Sequence, residues 1–88
     1  MDAVTRPCAM QKSINSQTYA IFLELLRETR EKAGITQLEL SERLGETQSF
    51  VSKCERGERR IDIAELHEFC AAMGISLDKF IKAFERRL

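Results

Sequence analysis

At 88 residues the chain makes one domain near the small end of what folds unaided, and 43% hydrophobic residues, with five Phe and one Tyr among them, allow a closed core. No run approaches the ~18 apolar residues of a membrane span, no basic-then-apolar segment opens the chain as a signal peptide would, and formal net charge is zero. Three cysteines, an odd number without metal-ligand spacing, suit a reducing cytosol rather than a disulfide scaffold, so a cytoplasmic protein is expected.

A single proline, four glycines and no strand-like alternation point to an all-α chain. Residues 1–15 have no apolar period and carry the proline; they read as a mobile arm, with residues 16–88 as the folded domain. The first helix is expected over about 17–32, with Ser16 as a possible cap and Gly34 at its end. Phe22, Leu26 and Thr29 form one stripe, while Ile21, Leu23 and Leu25 make the helix apolar on more than one face. It is therefore either deeply buried or in contact with a partner.

Thr36 and Glu39 have the spacing of a capping box, which starts a second helix carrying Leu38, Leu40 and Leu44. Gly45 sits where a left-handed C-cap is needed. Thr47 caps a third helix that buries Val51 and Cys54, spaced i, i+3, and leaves Gln48, Ser49, Ser52 and Lys53 toward solvent. Gly57 closes it. Asp62 and Glu65 repeat the capping-box pattern for a fourth helix with Ile63, Leu66, Phe69, Cys70 and Met73 inward and Gly74 at its end. Ser76 caps a fifth, with Leu77, Phe80, Ile81, Phe84 and Leu88 along one side.

Two short helices joined by a tight turn, the second with an amide-rich outer face, suit the DNA major groove. This stretch, within LRETREKAGITQLELSERLG, TQSFVSKCERGERR and LHEFCAAMGISLDKF, resembles the lambda-repressor-like, Cro and Xre class of helix-turn-helix DNA-binding domains. The likeness covers residues 22–84. It implies a compact five-helix fold with the motif on the second and third helices.

Glutamine pairs a donor with an acceptor, as adenine N6 and N7 require, and Gln48 opens the recognition helix. Ser49 lies beside it, and Lys53, one turn on, reaches guanine or a phosphate. The resemblance puts the family's base-reading positions on Gln48, Ser49 and Lys53. The plain alternative is a solvated helix face. Phe50 stands where the family often has a small or polar residue; it either touches a thymine methyl or is partly buried against the second helix or the turn.

Gln37 resembles the family's backbone-clamping glutamine at a helix N-terminus, with Thr36 beside it. Arg56, Arg59 and Arg60 follow the recognition helix as candidate phosphate contacts. The resemblance further implies an ion pair between Arg30 and Glu55, locking the third helix to the first. Ser41 replaces the family's alanine and needs a hydrogen-bond partner such as a carbonyl one turn back. Glu46 replaces an apolar turn residue and must face water. Cys54 replaces a larger aliphatic side chain.

Enzymatic readings have little support. His67 and Cys70 make an i, i+3 pair, but a zinc site needs four ligands, or three and water. No metal, cofactor, small-molecule ligand or catalysis is expected. The expected function is sequence-specific binding of double-stranded DNA by a repressor-type transcriptional regulator. A homodimer on a palindromic operator would supply the specificity that one short helix cannot. Phe80, Ile81, Phe84 and Leu88 are the expected dimer surface, with the second apolar face of the first helix as the competitor. The alternative function is a protein-interaction module that kept the fold without DNA contact; zero net charge and Glu46 favour it. Four bases among two acids from Lys53 to Arg60 oppose it, together with Gln37 and Gln48.

Overall fold

The computed structural model describes residues 17–88, which form five α-helices: α1 (Gln17–Lys32), α2 (Gln37–Leu44), α3 (Gln48–Glu55), α4 (Ile63–Met73) and α5 (Leu77–Arg87). Residues 1–15, read above as an arm, and the cap assigned to Ser16 lie outside the described residues.

The helix starts are local chemistry. Thr36 accepts the Glu39 N–H through its side chain while Glu39 accepts the Thr36 N–H, a reciprocal pair at 3.0 and 2.8 Å. Asp62 and Glu65 do the same at 2.7 and 3.1 Å. Thr47 and Ser76 each accept one backbone N–H of the following turn. The turn from α2 to α3 passes through Gly45 at φ 72°, a left-handed geometry that a Cβ would strain.

Packing then sets the arrangement. α2 lies against α3 and α4, and α1 against α3 and α5. Leu26, Leu40, Val51, Cys54, Phe69 and Phe80 are the innermost side chains, each at most 1% exposed. Phe22 meets Phe80 edge-on with centroids 6.0 Å apart, which joins α1 to α5. Polar ties close the periphery: Arg43 donates to the Ala72 carbonyl, and Arg87 pairs with Glu28. Ser41, buried between helices, donates to the Leu38 carbonyl at 2.6 Å, so its hydroxyl is satisfied within its own turn.

Two expectations about burial, for Ile63 and Phe80, need correction, and the structure also places Leu38 and the second apolar face of α1, whose burial was left open. Ile63, assigned inward, is 63% exposed, because as the first residue of α4 it lies beyond the helices that cover the rest of its stripe. Leu38 is half-exposed on the outer side of α2. Phe80 is wholly enclosed within the protomer, so it belongs to the core and not to a dimer surface. The second apolar face of α1 is partly used internally: Leu25 is buried and Leu23 packs on the core, its Cδ1 lying 3.1 Å from where a Cβ at Gly57 would stand.

Candidate nucleic-acid interface

α3 is an eight-residue rod held by its inner edge. Val51 and Cys54 are fully buried, while Ser49 and Lys53 are exposed on the opposite side and Gln48 is exposed at the start of the helix. The periodicity that buries Val51 and Cys54 turns Ser49 and Lys53 outward, whereas Gln48, three residues before Val51, is exposed because it is the first residue of the helix. Gln48 and Ser49 lie in the first turn of the helix and are exposed there.

The rod's far end is fixed by a buried ion pair. Arg30 Nε donates to Glu55 Oε2 at 2.7 Å, and Nη2 donates to Oε1 at 3.2 Å, giving a two-pronged contact between α1 and α3. Both side chains are at least 90% buried. The remaining capacity is filled: Arg30 Nη1 donates to the Ile35 carbonyl at 3.0 Å, and Gln37 Nε2 donates to Glu55 Oε1 at 2.9 Å. One carboxylate therefore ties α1, α2 and α3 together. Gln37, assigned to a phosphate clamp, has an N–H of its amide engaged by Glu55.

Phe50 sits half-buried against the body of the domain. Its ring centroid is 6.3 Å from that of Phe69, and the Arg59 guanidinium lies 4.8 Å above it. The arrangement fills the seam between α3 and α4, which favours the packing role of Phe50 over a contact with thymine.

The arginines after α3 differ from one another. Arg59 makes a two-pronged contact with Glu65 at 3.0 and 2.8 Å. That guanidinium, with the Asp62 N–H, holds the Glu65 carboxyl below the usual carboxylate range. Arg56 contacts both oxygens of Glu58 and also the Ser52 hydroxyl, and the Glu58 carboxyl is lowered in turn. Arg60 lies over the Tyr19 ring, 4.1 Å from its centroid. The chain brings Arg56, Arg59 and Arg60 beside α3, as the sequence implied, but two of them are engaged by carboxylates of their own chain. Tyr19 was missed, because a contact across 41 residues leaves no local pattern.

Glu46 is exposed. His67 is exposed and Cys70 is buried, so the two point to different environments. Burial pushes the Cys70 thiol up to about 11 and the Cys54 thiol upward as well, away from nucleophilic use. Among the described residues no group of three His, Cys, Asp or Glu side chains could hold a metal ion. No helix among them is long and apolar enough to cross a membrane.

Capped short helices, a left-handed glycine turn and an outward polar edge define a helix-turn-helix domain. Residues 26–80 match the helix-turn-helix family model, more than half of the chain, and the chain belongs to that family, in its Xre branch. The family is a class of transcription-regulator domains and not of enzymes. An XRE-family-like protein from Pseudomonas syringae pv. tomato superimposes with a TM-score of 0.80 at 44% identity, covering 89% of this chain and 95% of that one. A variant of a restriction-modification controller protein shares the fold at a TM-score of 0.75 and 20% identity, over 81% of this chain and 95% of that one. An uncharacterized HTH-type transcriptional regulator of Sinorhizobium fredii is 38% identical over 47 residues, 53% of this chain. The match spans 61% of that relative's length.

Proposed function

We propose that this protein binds double-stranded DNA sequence-specifically through α3 and regulates transcription as a repressor. The observation that carries the reading is the outward edge of α3: Gln48, Ser49 and Lys53 are exposed on a helix whose other side is locked in the core. Gln48 reads adenine and Lys53 reads guanine or holds a phosphate. The first turn of α2, with Thr36 and Gln37, lies against the sugar-phosphate backbone. Family membership and the named regulator relative support this reading.

Two copies would act on a palindrome with half-sites about 34 Å apart, one helical turn. Their contact surface is the groove of about 220 Å³ between α1, α4 and α5, where Ile63, Ile81 and Phe84 leave apolar surface unburied. Leu88, 64% exposed at the end of α5, extends this apolar surface. Sedimentation of Ile63→Glu against the wild type tests the pairing: a monomer with an unchanged helical spectrum is expected, and an unchanged dimer contradicts it.

The second reading, a protein-interaction module, draws support from the self-paired Arg56 and Arg59 and from zero net charge. Selection of bound duplexes from a randomised pool separates the two. Enrichment of a palindromic motif is the expected result; no enrichment above the input pool would favour the interaction module.

A further inference from the structure

Arg56, Arg59 and Arg60 are equivalent in sequence and unlike in structure. A guanidinium has a face, which stacks on rings, and an edge, where its N–H groups lie. Arg59 has both occupied: its face covers Phe50, and its edge donates to both Glu65 oxygens. Arg56 has its edge on both Glu58 oxygens. Either would bring its own carboxylate up to a phosphate, so the charge it offers the DNA backbone is already compensated.

Arg60 is the exception. Its face rests on Tyr19, and its side-chain N–H groups meet no acceptor among the described residues. The residue is exposed. Tyr19 also fixes the adjoining backbone, because its hydroxyl accepts the Ile61 N–H at 3.3 Å. One aromatic side chain on α1 thus holds the arginine and the chain just after it. Stacking restrains a long side chain without using its hydrogen-bonding edge.

Building on the DNA-binding reading, we infer that Tyr19 is a positioning residue. It holds Arg60 ready for a DNA phosphate, and Arg60 alone of the three arginines after α3 makes that contact.

The test is the dependence of affinity on salt for a short random-sequence duplex, titrated between about 50 and 200 mM salt. Each lost phosphate contact lowers the slope of log K against log salt by about 0.9. Arg60→Ala should lower it by that amount per bound protomer, whereas Arg59→Ala and Arg56→Ala should leave it nearly unchanged. Tyr19→Phe keeps the ring under Arg60 and loses only the bond from the Ile61 N–H, so it should lose less affinity than Tyr19→Leu. Tyr19→Leu should weaken binding, with no further loss when added to Arg60→Ala.

A lower slope in Arg59→Ala or Arg56→Ala equal to that of Arg60→Ala overturns the inference. So does a loss from Tyr19→Leu that persists in full in the Arg60→Ala background. If Tyr19→Leu does not fold, NMR replaces it: Tyr19 is the single tyrosine, so its ring protons form one spin system. DNA should shift those resonances in the wild type and not in Arg60→Ala; equal shifts in both, or none in the wild type, contradict the inference. A wild type that shows no salt-dependent binding removes the DNA-binding reading itself. A wild type that binds while Arg60→Ala keeps its slope removes only the inference.

Discussion

Of the arginine–carboxylate pairs in this domain, one lies at the junction of α1 and α3 and another joins the loop after α3 to the first turn of α4. The contacts are alike: Arg30 lies 2.7 Å from Glu55, and Arg59 lies 2.8 Å from Glu65. Their surroundings are not. The first pair is at least 90% buried and has its remaining hydrogen-bonding capacity filled by the Ile35 carbonyl and the Gln37 amide. In the second, the side chains are 43% and 29% exposed. Water and salt screen the exposed pair, whereas the buried one has no replacement for a missing partner. The same residue types therefore fix α3 against α1 in one place and only trim a surface loop in the other.

The largest effect expected from breaking this contrast lies at the junction. Arg30→Ala or Glu55→Ala alone should cost about 3–5 kcal/mol, because each strands a buried charge. Arg30→Ala combined with Glu55→Ala should cost clearly less than the two single losses added together. Urea denaturation of the four proteins measures the coupling; strict additivity would show that the pair does not act as a unit.

Phe50 sharpens the comparison from the side of the recognition helix. Phe50→Ala should lose about 2 kcal/mol, roughly half the cost of emptying a fully enclosed site. The DNA sequences selected by that variant should be those selected by the wild type. A changed preference at one base pair, with stability intact, would return Phe50 to the reading edge.

The exposed pair should respond least. Arg59→Ala is expected to cost no more than about 1 kcal/mol at low salt, with the difference shrinking as salt rises. Acid gives a separate handle. The Glu65 carboxyl titrates lower when folded than when unfolded. Its stabilisation is thus present above the ordinary carboxylate range, near pH 4.3, and fades as pH falls through the folded value. Glu65→Gln should flatten that part of the stability profile. A wild-type acid limb that survives unchanged in Glu65→Gln would assign it to other carboxylates.

Legibility from sequence followed the range of the interaction. Thr36 with Glu39, Thr47, Asp62 with Glu65, and Ser76 announced the helix starts because a cap joins residues three apart. Gly45 and Gly74 announced the ends because only a left-handed φ lets the chain turn there. The outward placement of Ser49 and Lys53 followed from burying Val51 and Cys54, and that of Gln48 from its place as the first residue of α3. Long-range partners left no such trace. Nothing near Arg60 pointed to Tyr19, and nothing near Gln37 pointed to the Glu55 carboxylate. Ile63 and Phe80 were misplaced for a related reason: periodicity gives the face of a helix but not how far a neighbour extends over it.

The central claim is that the free edge of α3 reads bases. Its most direct test compares sequences selected from a randomised duplex pool by the wild type and by Gln48→Ala. One base pair in each half-site should lose its preference, a discrimination of about 1–3 kcal/mol, while the other positions keep theirs. An identical selected motif for both proteins, at matched folding and salt, would contradict the account.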